Sequence, residues 1–334
     1  MTDCTLYSTS SIHSDAVPRS YFPKTHARDF SALSSVIRLS TKYFIEHLRT
    51  QCLARLIHDW PTTLADWDQR EAAATDASGR YTPRDAYAHP ILAINLALEL
   101  GIPEVLPSAF YDLSRYGPSR ILSGARALPP IFPAPDPCAA RGAQDRPMIH
   151  LSHDSLVRTL RGRELGQLYV STFLARALEH RPSASCLYSA RATASGLGAA
   201  AAAKSAHCTE SFYFIHLNVL RSVGGIACGR DADPLFTLVQ AVEMLERKDF
   251  SDGIRTCGLK MCGVCKREWK GEVGRAREEV WGLIPVWFGL RDGGAMDISA
   301  STRNMIRELQ KEGMIENRGE TDVDVDIDVD ELEE

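Results

Sequence analysis

The sharpest chemical signal in the sequence is Cys262-Gly-Val-Cys265. Two cysteines separated by two residues can turn both sulphurs toward one tetrahedral metal ion from a single turn of chain, and thiolate sulphur is a preferred ligand of zinc. A closed structural site needs two more ligands. Cys186, Cys208, Cys257 and His207 all precede the pair, and the expected set is Cys186, Cys208, Cys262 and Cys265 around Zn2+. The competing reading is that these are buried thiols acting as small apolar side chains. A redox use of the same CxxC lacks the βαβ pattern that usually surrounds one.

Other candidates carry less chemistry. The string GAAAAAKS at 198–205 resembles a phosphate-binding loop, but Ala203 stands where a glycine lets backbone amides curl around phosphate. His150, His153 and Asp154 lie close together, yet no nucleophile accompanies them; Ser152 or Asp154 reads better as a helix cap. Neither HExxH nor GxSxG occurs. No catalytic residue and no organic cofactor site is therefore assigned, and the chain is not expected to be an enzyme.

Helices are the elements that must position the cysteines. Phe30, Leu33 and Ile37 form an apolar stripe at helical spacing after Asp29, a candidate N-cap. A second stripe, Ile45, Leu48, Cys52, Leu53 and Leu56, ends before Pro61. Thr63 with Asp66 resembles a capping box for a short helix carrying Trp67 on one side and charges on the other. HPILAINLALELG has a first-turn proline, apolar residues on nearly every face and Gly101 at the left-handed cap position, which predicts a buried central helix. EVLPSAFYDLSRYG gives another helix. Residues 124–147 hold six prolines and read as a loop. Helical patterning returns at 151–179 as two helices broken near Gly162, and again at FYFIHLNVLRS. Asp233-Pro234 is a start signal for a further helix. EEVWGLIPVWFGL is the last large apolar feature, and a final helix is expected from about Ser301 to Lys311. Leu48, Leu53, Leu56, Ile94 and Leu98 are expected core positions; Trp67, Trp281 and Trp287 fit either core or partner surface, with core favoured.

Composition narrows the class. Of 334 residues, 44% are hydrophobic and 24% charged, as in ordinary globular chains. No run approaches the roughly 18 apolar residues of a membrane span, and no secretory leader opens the sequence. Nine scattered cysteines, an odd number, point to reduced thiols and an intracellular protein, nuclear or cytoplasmic. Nine acidic residues lie between Glu320 and Glu334; taking them away from the net charge of −5 leaves +4, too weak a surplus to indicate nucleic-acid binding. The segment TDVDVDIDVDELEE reads as a solvated, disordered acidic tail.

Six strings carry a resemblance. VIRLSTKYFIEHLRTQCLARL (36–56), PTTLADWDQRE (61–71), HPILAINLALELGIPEVLPSAFYDLSRY, LSHDSLVRTLRGRELGQLYVSTF, the CxxC followed by KREWK, and EEVWGLIPVWFGL occur in this order. In order and spacing they resemble the helical region that follows the BTB core in fungal (basidiomycete) BTB/POZ proteins, over most of residues 20–290. The resemblance implies a non-catalytic scaffold or adaptor that binds other proteins. Only about 28 residues precede the matching helices, so most of the core itself is expected to be missing. Without it homo-oligomerisation lacks its usual surface. The alternative function is a zinc-stabilised regulatory module using the four cysteines.

The expected architecture is all-α, an irregular array of two helical units. Residues 1–28 are a poorly ordered segment and 29–122 the first unit. Residues 123–147 form a proline-rich loop, 148–312 the second unit with an alanine-rich insertion at 187–206, and 313–334 the acidic tail.

Overall fold

The computed structural model describes residues 27–128, 146–179, 181–188, 198–220, 229–248, 250–251 and 256–291. The expected N-terminal segment to residue 26, most of the proline-rich loop, the final helix and the acidic tail lie outside the described residues. Among those described, the chain forms helices α1 (Phe30–Lys42), α2 (Glu46–Asp59), α3 (Leu64–Ala73), α4 (Pro83–Ala86), α5 (Pro90–Leu100), α6 (Leu106–Ser114), α7 (Pro118–Ser123), α8 (His153–Glu179), α9 (Gly198–Leu220), α10 (Pro234–Glu243) and α11 (Gly263–Trp287). The fold is mostly helical, as the patterning predicts. Two small antiparallel ribbons are added: β1 (Ala125–Arg126) with β2 (Met148–Ile149), and β3 (Phe250–Ser251) with β4 (Thr256–Cys257). The first ribbon joins the two ends of the proline-rich segment, Ala125 opposite Ile149.

Local signals place the helix ends. The Thr63 side chain accepts the Asp66 amide at 3.2 Å, and Asp233 accepts the Phe236 amide at 3.1 Å ahead of Pro234, each satisfying an amide that the helix leaves unpaired. Gly101 closes α5 with φ 64°, and Ser152 caps α8 by accepting the Ser155 amide. Asp29 precedes α1 but makes no side-chain capping bond. The chain turns between α1 and α2 through Phe44, a non-glycine residue at φ 55°.

Buried side chains from Phe30 in α1 to Phe288 after α11 make one continuous apolar cluster. The centre is α6, whose residues from Ser108 to Ser114 are all buried; it packs on α5, α8 and α11. Phe110 of α6 stacks on Phe288 at 5.5 Å. Leu56 and Ile94 are core residues, and Leu53 packs against the core from a partly buried position. Leu48 is only half-buried.

Two expectations are corrected. Leu98 is 49% exposed, because that edge of α5 looks outward, where neighbouring Glu99 pairs with Arg38 of α1 at 2.7 Å. The expected break near Gly162 is absent: α8 runs unbroken from His153 to Glu179. A side chain at Gly162 would fall 2.0 Å from the Phe288 ring, so this glycine permits close packing. Trp67 and Trp287 are buried. Trp281 is partly buried, packs against Trp67 at 5.8 Å and donates to the Thr62 carbonyl at 3.2 Å.

Candidate metal centre

Cys186, Cys208, Cys262 and Cys265 converge, with their four Sγ atoms all within 4.8 Å of one another. Three separate stretches bring them together. Cys186 lies beyond the end of α8, with its amide bonded to the Ser183 carbonyl at 3.0 Å. Cys208 sits on α9, while Cys262 is the N-cap of α11 and Cys265 lies in its first turn. All four thiols are free and buried.

The geometry suits a tetrahedral ion. With Zn–S bonds of ~2.3 Å, tetrahedral sulphurs lie ~3.8 Å apart, and Cys186 Sγ and Cys262 Sγ are 3.8 Å apart. The Cys262 sulphur accepts the Cys265 amide at 3.4 Å, and the Cys208 sulphur accepts the Cys262 amide at 3.3 Å. Amides at a helix N-terminus favour negative charge on a sulphur so placed.

The sulphurs differ in acidity. Burial works to raise the Cys262 thiol, but amide donation from Cys265 and Leu187, with thiol donation from Cys265 and Cys186, brings it down to about 7. Burial pushes the Cys208 thiol up to about 12, against the Cys262 amide. Burial likewise holds the Cys265 thiol far above its ordinary value. A divalent cation held by the four sulphurs would keep all of them as thiolates and remove this difference.

The site rests on an aromatic floor. Trp269, one turn beyond Cys265 on α11, donates its indole N–H to the Ala241 carbonyl of α10 at 3.0 Å. Its ring meets Phe212 of α9 at 5.6 Å and Phe173 of α8 at 6.0 Å. Arg181 lies over Phe212 and pairs with Glu268 and Glu272. The helices carrying the ligands are thus fixed to one another without the sulphurs.

His207, weighed as a ligand, lies outside the four-sulphur group; the Cys257 side chain lies outside the described residues. The string GAAAAAKS opens α9 as helix. His150 Nδ1 lies 3.3 Å from the Leu122 carbonyl, and Asp154 pairs with Arg158.

A second polar constellation was missed by the sequence reading. Asp112, inside α6, accepts from Arg70 at 2.7 Å, Arg84 at 2.6 Å and Arg115 at 2.5 Å. Glu71 pairs with both Arg70 and Arg115, and Asp233 with Arg115 at 2.9 Å. Burial opposes the charge on Asp112, but Arg84, Arg70 and Arg115 outweigh it and hold the carboxyl well below its usual range. The Arg70 guanidinium also lies 4.4 Å from the Tyr87 ring centre and 4.8 Å from that of Trp67. A signal was available: Asp112 and Arg115, the residue that caps the end of α6, stand three apart in a mainly apolar stretch, which favours a buried pair over two solvated charges.

No helix among the described residues is long and apolar enough to cross a membrane. Comparison with known proteins finds no family model, no curated protein and no solved structure that matches the chain.

Proposed function

We propose that this chain is a non-catalytic helical scaffold for binding other proteins, whose rear half is closed by a structural zinc ion held by Cys186, Cys208, Cys262 and Cys265. The observation that carries the zinc reading is the buried cluster of four sulphurs within 4.8 Å of one another, with the Cys186–Cys262 pair at the 3.8 Å of a tetrahedral site. Four protein sulphurs fill a tetrahedral ion and leave no position for substrate or activated water, which makes the role structural. The scaffold reading is supported by the order of the BTB/POZ-like strings and by exposed apolar residues at the α1–α2 corner. There Tyr43 is 61% and Phe44 83% exposed.

The experiment is metal analysis of the full-length protein purified without added zinc, followed by thermal unfolding with and without a strong chelator. One zinc per chain and a lower Tm on chelation are expected. Cys208→Ser should lose the metal and reproduce the chelated Tm. Metal-free protein whose Tm ignores both zinc and chelator would reduce the cluster to four buried thiols.

A further inference from the structure

A cavity of about 280 Å³ opens beside α4, α6 and α7, lined among others by Tyr81, Arg84, Asp112, Arg115, Tyr116 and Arg120. It shares none of these residues with the cysteine cluster. Three guanidiniums and one carboxylate face it, and that carboxylate is already committed. Asp112 Oδ2 accepts from both Arg70 and Arg84, and its Oδ1 accepts from Arg115. Arg70 and Arg115 each have Glu71 as a further counter-ion, and Arg115 has Asp233 as well. Arg84 has Asp112 as its only counter-ion among the described residues, and its Nη1 donates to the Ala88 carbonyl. Its Nε is buried without a hydrogen-bond partner.

The opposite rim adds a further positive charge. Arg120 of α7 is exposed, and its side chain has no hydrogen-bond or ion-pair partner among the described residues. The Tyr116 hydroxyl is likewise without a partner there, although its ring lies under the Arg84 guanidinium at 5.7 Å. A charge cluster whose whole task was to join α3, α4 and α6 would need neither Arg120 nor a hollow beside Arg84. Guanidinium groups present paired donors that match carboxylate and phosphate oxygens, and the aromatic walls suit an apolar body. The volume lies just below the usual range for ligand sites, which limits the ligand to a small one.

We infer that this cavity binds a small oxyanion, a carboxylate or phosphate group carried on a compact aromatic body, with Arg84, Arg120 and the Tyr116 hydroxyl as its polar contacts. The reading is independent of zinc. The test is calorimetric titration of the full-length protein with benzoate and with phenyl phosphate, using benzyl alcohol as the neutral control. Saturable binding of at least one anion is expected, with none of the alcohol. Arg120→Gln, an exposed position whose side chain holds no partner among the described residues, should weaken binding about tenfold, the loss of one charge-assisted hydrogen bond. Arg84→Lys, checked for folding by circular dichroism, should weaken it further. The anion that binds more tightly identifies the group. The inference is overturned if neither anion saturates at millimolar concentration, if the alcohol binds equally well, or if Arg120→Gln leaves the affinity unchanged.

Discussion

His89 couples a single ring nitrogen to the stability of α5. Its Nδ1 accepts the Ile91 amide at 3.4 Å as the N-cap, a bond that only the neutral ring can make through that atom. Burial, and then the nearby Arg84 charge, lower its pKa from 6.5 to about 4. Over that interval the unfolded chain takes up a proton that the folded chain refuses. This contribution to stability is therefore full above pH 6.5 and lost as pH falls toward 4. His89→Asn keeps a capping side chain and removes the titration; in urea unfolding from pH 7 to 4 it should flatten the pH dependence relative to the natural protein. An unchanged slope would place the acid sensitivity elsewhere. Legibility at this scale followed chemistry. The cysteines could be chosen because four sulphurs have few uses together, and the structure brings the chosen four to one point. Arg70 was hidden because a charged residue on a short helix reads as solvated, and nothing in TLADWDQREAAA announces that its guanidinium lies over the rings of Trp60 at 5.0 Å, Trp67 and Tyr87.

For the elements, the instructive case is α8 against the end of α11. Gly162 lowers helix propensity, so the sequence suggested a break; the structure instead uses the missing side chain to seat Phe288. Gly162→Ala should therefore destabilise the fold by about 1–3 kcal/mol through overpacking, despite alanine's better helix propensity. Gly274→Ala in α11, where an added Cβ meets nothing within 4 Å, should stabilise by about 0.5–1 kcal/mol. Urea unfolding of both variants checks the pair, and equal effects of the same sign would refute the packing argument. Helix boundaries set by side-chain caps and first-turn prolines, as at Thr63, Pro90 and Asp233, were legible because they are local. The inward or outward direction of Leu98 was not, because it depends on where α1 places Arg38.

Across the whole molecule, the two expected helical units share one apolar cluster, with α6 of the first packed on α8 and α11 of the second. The proline-rich composition that suggested a divide carries no information about what lies across it. The exposed α1–α2 corner stands apart from this core, and Phe44 holds a left-handed backbone there that is costly for a bulky residue. If that corner is the partner surface, Phe44→Asp should leave Tm nearly unchanged while abolishing co-purification of whatever protein the natural chain retains under gentle lysis. Retention of the same partner by the variant would move the interface elsewhere. The cysteine cluster bears on how the molecule is made. Cys186 and Cys262 meet across 76 residues, and Cys208 and Cys262 across 54. A nascent chain therefore carries two of the four sulphurs for some time before the CxxC emerges to join them. During that interval they are exposed to oxidants and to competing metals. If the cluster holds zinc as proposed, zinc supply and thiol protection govern how much chain assembles correctly during synthesis, in addition to stabilising the protein once folded.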